Sequence, residues 1–90
     1  MDSHSVIMKL ETICNADYYR TASLNELYID VNNLYDYIQN NISKELCESL
    51  HTEMKSVYYE IRLGDGDSYD IVFNDCIEVL KKVIEELQRN

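Results

Sequence analysis

A four-helix antiparallel bundle is the fold this chain predicts, and three observations predict it. Apolar residues recur with a period near 3.6 in four separate stretches. The 90 residues include no Pro and only two Gly, Gly64 and Gly66, so the turns that a small sandwich or barrel needs have almost nothing to make them. A chain of this length forms one domain, burying roughly 60% of its unfolded surface. Four amphipathic helices with short connections bury their stripes together by packing as antiparallel neighbours around one core. Residues 1–90 are therefore expected to form a single all-α domain.

The first helix rests on Val6, Ile7, Leu10, Ile13 and Cys14, a short stripe that fades before the polar stretch from Arg20 to Ser23. The second begins at Ser23, because Ser23-Leu24-Asn25-Glu26 has the spacing of a capping box, in which the hydroxyl accepts the N3 amide and the Glu reaches back. Leu24, Leu27, Tyr28, Val31, Leu34, Tyr35 and Ile38 then fall at offsets 0, 3, 4, 7, 10, 11 and 14 on one helical face. Asn40-Asn41 is expected to close it, since Asn tolerates the left-handed conformation and competes for backbone hydrogen bonds.

A third helix from about Ser43 to Leu63 carries Leu46, Cys47, Leu50, Met54, Val57, Tyr58 and Ile61 on one stripe, with Gly64 as its C-terminal cap. After the loop Gly64-Asp65-Gly66-Asp67-Ser68 comes the fourth, with Val72, Phe73, Cys76, Ile77, Leu80, Val83, Ile84 and Leu87 inward. Lys81, Lys82 and Arg89 lie toward the negative end of its dipole.

Seventeen Asp and Glu against eight Lys and Arg give a net charge of -9, which repels phosphate backbones, so direct DNA or RNA binding is not expected. Cys14, Cys47 and Cys76 are odd in number and widely spaced, unlike a secreted disulfide framework, and are expected to be reduced core thiols. Met1-Asp2-Ser3-His4-Ser5 is acidic where a signal peptide is basic, and runs such as Val6-Ile7-Met8 fall far short of the ~18 apolar residues of a span. A cytoplasmic chain that does not enter a membrane is the expectation.

No motif announces catalysis. Asp65 to Asp70 resembles a calcium loop, but starting at Asp65 puts Asp70 where the turn Gly belongs and Cys76 where the bidentate Glu belongs. Cys47 and His51 share a helical face at a spacing legal for two metal ligands or a thiolate and its base, yet nothing completes a site. Phosphate-cradling glycine loops and His-Glu metalloprotease patterns do not occur. The expectation is a protein with no catalytic residue, metal or cofactor.

The tyrosines point elsewhere, since eight of the nine aromatic residues are Tyr. Adjacent helical residues point about 100° apart, so with Tyr58 on the core stripe Tyr59 is expected to be exposed. Glu26, Asp30, Asn33 and Tyr37 at offsets 0, 4, 7 and 11 form an acidic stripe ending in an aromatic ring on the second helix. Asp65, Asp67, Asp70, Asp75 and Glu78 follow Gly64 with no intervening Lys or Arg. Exposed Tyr beside carboxylates suits the gripping of a basic protein. The candidate partner-binding residues are therefore Glu26, Asp30, Asn33, Tyr37, Tyr59, Asp65 and Asp67. The bland alternative is that the acids solvate the bundle. Two further alternatives are a phage-type anti-defence protein that mimics nucleic acid charge, and a helical homo-oligomer joined through a heptad-like seam at Phe73, Cys76, Leu80, Val83 and Leu87.

Ile13-Cys14-Asn15-Ala16-Asp17 at the end of the first helix, the acidic second helix, the pair Tyr58-Tyr59 and the acidic Gly-Asp loop before the last helix give the chain a resemblance to a known family. It resembles the small acidic helical immunity proteins that neutralise nuclease bacteriocins of the colicin and pyocin type. The resemblance implies an inhibitor that docks its second and third helices on a toxin nuclease, with the Tyr pair central and carboxylates around it. The chain departs from that pattern where Glu60 stands in place of the Pro that follows the family's Tyr pair, and in a longer third helix. An analogous immunity protein, such as one partnering a contact-dependent inhibition toxin, shares the same physics.

Overall fold

The computed structural model describes residues 2–15 and 23–89. Ala16, Asp17 and Arg20, invoked above, lie outside the described residues. The described chain is all-helical, with α1 at Ser3–Ile13, α2 at Leu24–Gln39, α3 at Lys44–Leu63 and α4 at Tyr69–Arg89. The fold is the four-helix bundle that the apolar periodicity predicts.

Each of the first three helices starts on a side chain that accepts a first-turn amide, as orphan N–H groups require. Asp2 accepts from Ser5 N at 2.8 Å, Ser23 from Glu26 N at 3.1 Å and Ser43 from Leu46 N at 3.2 Å. The Ser5 amide and hydroxyl hold the Asp2 carboxyl below its ordinary range. The start of α3 is also tied across the bundle, because Glu86 of α4 accepts the Ser43 backbone N–H and its hydroxyl.

The end of α2 differs from expectation. Asn40 is right-handed, with φ -82°, and none of the described non-glycine residues has positive φ. Instead the Asn40 and Asn41 side chains donate back to Asp36 O at 2.8 Å and Tyr37 O at 2.7 Å, covering carbonyls that the helix end leaves open. Side-chain competition for the backbone closes this helix; left-handed geometry plays no part.

The core is one cluster to which all four helices contribute. Val6, Leu10 and Ile13 come from α1, and Leu24, Leu27, Val31, Leu34 and Ile38 from α2. Leu50, Met54 and Val57 come from α3. The largest share is that of α4, with Phe73, Cys76, Ile77, Leu80, Val83, Ile84 and Leu87. Each fully buried aliphatic or aromatic side chain stabilises the fold by about 1.5–3 kcal/mol relative to exposure.

Packing is most extensive between α3 and α4, followed by α2 with α3 and α1 with α4. The diagonal pair α2 and α4 still touches whereas α1 and α3 do not, so the cross-section is a rhombus with α2 and α4 on its short diagonal. The outer dimensions of 39 × 26 × 18 Å agree with that flattening. No helix among the described residues is long and apolar enough to cross a membrane.

Only Cys76 of the three cysteines is fully buried; Cys14 is half-buried against the core, and Cys47 is half-buried. The expectation of three core thiols is corrected to one, because Cys14 is the C-cap of α1 and Cys47 sits in the α2–α3 seam beside Tyr35, 4.0 Å from its hydroxyl.

Candidate functional site

The mean direction of Leu50, Met54, Val57 and Ile61 defines the inward face of α3, and at about 100° per residue Tyr59 points about 170° away from it. Tyr59 is 64% exposed, as expected from its register. Leu63, one turn further on, is 71% exposed, and Ile71 in the first turn of α4 is 65% exposed. These three side chains bracket the α3–α4 loop.

The loop is built to present carboxylates. Gly64 caps α3 by donating its N–H to Glu60 O at 3.0 Å, in extended rather than left-handed geometry. The Glu60 carboxyl occupies the space that a Cβ on Gly64 would need. Asp65 Oδ1 accepts the Asp67 amide at 3.0 Å, and Gly66, with φ +93°, supplies the left-handed step that other residues resist. Tyr69 stacks on Phe73 at 6.2 Å between ring centroids and pins the end of the loop to the core. Asp65, Asp67, Asp70 and Asp75 are all exposed around this end of the bundle.

The one ion pair formed between described residues is Lys81 with Glu78 at 3.6 Å, one to two turns beyond Asp75 on α4. On the α3–α4 interface the Glu53 carboxyl is pushed above its usual range, first by burial and then by the nearby Asp75. Negative charge thus continues from the loop along the α3–α4 seam.

The acidic stripe on α2 is arranged differently from the expectation. Glu26 and Asn33 are exposed, but Asp30 is half-buried and Tyr37 packs against the core. The reason is angular: Asp30 and Tyr37 lie about 80–100° from the mean core direction of α2, close enough for a long side chain to fold back onto the bundle. They do so on the flank opposite Tyr28 and Tyr35, and therefore away from α3. The contact between Tyr28 and Tyr58 sets the start of α2 beside the last turns of α3, so Glu26 shares an end of the bundle with Asp65 and Asp67. Tyr37 lies about 16 Å further along α2, at 1.5 Å per residue. Tyr59, Asp65 and Asp67 come together at one end; the α2 stripe does not join them as a single surface.

Tyr58 is 42% exposed and is not a core residue, contrary to the expectation from its stripe. It sits about 70° from the inward direction of α3, on the margin facing α2. Its ring lies 5.5 Å from that of Tyr28, and Arg62 stacks over it at 5.7 Å while donating to its hydroxyl at 3.2 Å. Tyr28, Asn32 and Tyr35 from α2 and His51, Met54, Lys55 and Tyr58 from α3 line a groove of about 400 Å³ there. The sequence carries a signal for this groove, since His51, Lys55, Tyr58 and Arg62 stand at offsets 0, 4, 7 and 11 with no acidic residue among them.

Cys14 and Cys76 are poor nucleophiles as placed. Burial, more than any neighbouring charge, pushes Cys76 up to about 12 and Cys14 up to about 11, which keeps both protonated at neutral pH. Among the described residues, no three His, Cys, Asp or Glu side chains group so as to hold a metal ion. Comparison of the chain with known protein families, curated proteins and solved structures finds no match.

Proposed function

We propose that this protein acts by binding rather than by chemistry, as an immunity or antitoxin-like inhibitor that covers the working surface of a basic toxin. A nuclease is the toxin class that fits best, since a surface made to hold nucleic acid is necessarily rich in Lys and Arg. The observation that carries the reading is the α3–α4 end, where Tyr59, Leu63 and Ile71 stand exposed among Asp65, Asp67, Asp70 and Asp75. Apolar and aromatic anchors set how slowly a complex dissociates, while the surrounding carboxylates speed encounter with a cationic partner and reject anionic ones. The protected compartment would be the cytoplasm, where such a toxin acts on its producer. A homo-oligomer joined through the α4 seam has less support, because Phe73, Cys76, Leu80, Val83 and Leu87 are all buried in the chain's own core.

Co-expression with the product of the neighbouring reading frame tests the proposal. A basic product that is toxic alone, and is neutralised one-to-one by the wild-type chain but not by Asp65→Lys/Asp67→Lys, is the expected result. Neutralisation indifferent to that charge reversal would remove the α3–α4 end from the mechanism, and an inert neighbour would remove the toxin.

A further inference from the structure

Among the described residues, the α2–α3 groove is a concave surface whose chemistry opposes the net charge. Along α3 it is lined by His51, Lys55 and Tyr58, with Arg62 packed on the Tyr58 ring one turn beyond, and no carboxylate lines it. Lys55 and Arg62 form no ion pair with any described residue, although the chain holds more than two acidic residues for each basic one. The opposite wall is Tyr28, Asn32 and Tyr35, and Met54, only 5% exposed, forms the floor. An open aromatic trough with a methionine floor suits large apolar side chains, because the thioether adapts to their shape. From His51 to Tyr58 the groove runs about 10 Å at 1.5 Å per residue, the length of two helical turns, and Arg62 extends the line by one turn more.

We infer that this groove is a second docking surface, one that takes an acidic amphipathic segment of another protein. Charge complementarity selects the occupant: carboxylates on the segment meet Lys55 and the Arg62 guanidinium. Its aromatic or large aliphatic side chains, recurring at helical spacing, lie against Tyr28, Tyr35, Tyr58 and Met54, as an amphipathic helix does in a two-helix groove. Tyr58 serves as the central contact, since Arg62 and Tyr28 already hold its ring from two sides and no ordering of a free side chain is needed on binding. The surface faces α2 whereas Tyr59 and Leu63 face outward, so the chain presents a cationic, aromatic face to one kind of partner and an anionic face to another.

Selection of a displayed random peptide library on the full chain, with fluorescence anisotropy of the enriched peptides, tests this directly. The expected peptides are acidic, carry large apolar residues at helical spacing, shift the amide resonances of Tyr28, Tyr35, Lys55 and Tyr58, and lose about tenfold or more in affinity for Lys55→Glu/Arg62→Glu. Lys55→Gln/Arg62→Gln, which keeps the side-chain length without the charge, should show a smaller loss in the same direction. Asp65→Lys/Asp67→Lys should not weaken these affinities, which separates this surface from the proposed inhibitor site. Enrichment of basic peptides, no enrichment, or acidic peptides that bind the charge-reversed groove as well as wild type would overturn the inference. So would sedimentation showing a dimer that Lys55→Glu/Arg62→Glu dissolves, because the occupant would then be a second copy of this chain.

Discussion

Two exposed edges of α3 run side by side and carry opposite chemistry. On the α2 side, His51, Lys55, Tyr58 and Arg62 make a cationic aromatic margin in which Tyr58 is held by Tyr28 and Arg62. On the outer side, Tyr59 and Leu63 lead into a loop of carboxylates, and Tyr59 makes no hydrogen bond or ring contact with any described residue. Neighbours in sequence thus differ in partner, exposure and charge environment because a step of about 100° carries one ring to a helix–helix seam and the next to open solvent. A tyrosine held in place by its own fold and a tyrosine held by nothing are suited to different work. The first walls a groove and the second is free to anchor a partner.

The largest effect should come from beneath both edges. Leu50 is fully buried, and Leu50→Ala should cost about 3–5 kcal/mol through lost transfer energy and the cavity left behind. Denaturant melts should show that loss, and both surfaces should weaken together. A smaller effect, about 1 kcal/mol, is expected from Tyr58→Ala, the size of an aromatic pair at a partly exposed site. A loss as large as that of Leu50→Ala would mean that Tyr58 is core after all, and the comparison between the edges would lose its basis.

Ser43→Ala should also cost about 1 kcal/mol, since it removes the N-cap of α3. The Glu86 contact to the Ser43 backbone survives that change, so Ser43→Ala/Glu86→Ala should cost more than Ser43→Ala alone. The smallest effect is a gain. The raised Glu53 carboxyl favours the folded state when protonated, a contribution fully present below the ordinary carboxyl range and lost as pH rises through the raised value. Glu53→Gln should therefore raise the melting temperature slightly at pH 7 and make no difference in acid. An unchanged melting temperature at both pH values would show that neither burial nor the nearby Asp75 penalises the Glu53 charge.

Much of the architecture was legible before any coordinates. The Ser23 cap, the inward stripes of α2 and α4 and the exposure of Tyr59 follow from spacing alone, because residues near the centre of a stripe or directly opposite it have one possible environment. Residues on the flanks do not. Tyr58 and Tyr37 both lie near the margin of an apolar stripe, and which of them tucks inward depends on how far the adjacent helix stands off. Periodicity within one helix carries no information on that distance. The same limit hid the α2–α3 groove, whose two walls are separate stretches of sequence that only packing brings together.

The division of labour between Tyr58 and Tyr59 is the central claim, and calorimetric titration of the basic toxin into single variants tests it most directly. Tyr59→Ala should weaken the complex by about 2 kcal/mol, roughly thirtyfold in Kd, with an unchanged melting temperature. Tyr58→Ala should bind the toxin as wild type does despite its lower stability. Equal losses of affinity for the two variants, or a larger loss for Tyr58→Ala, would contradict the account.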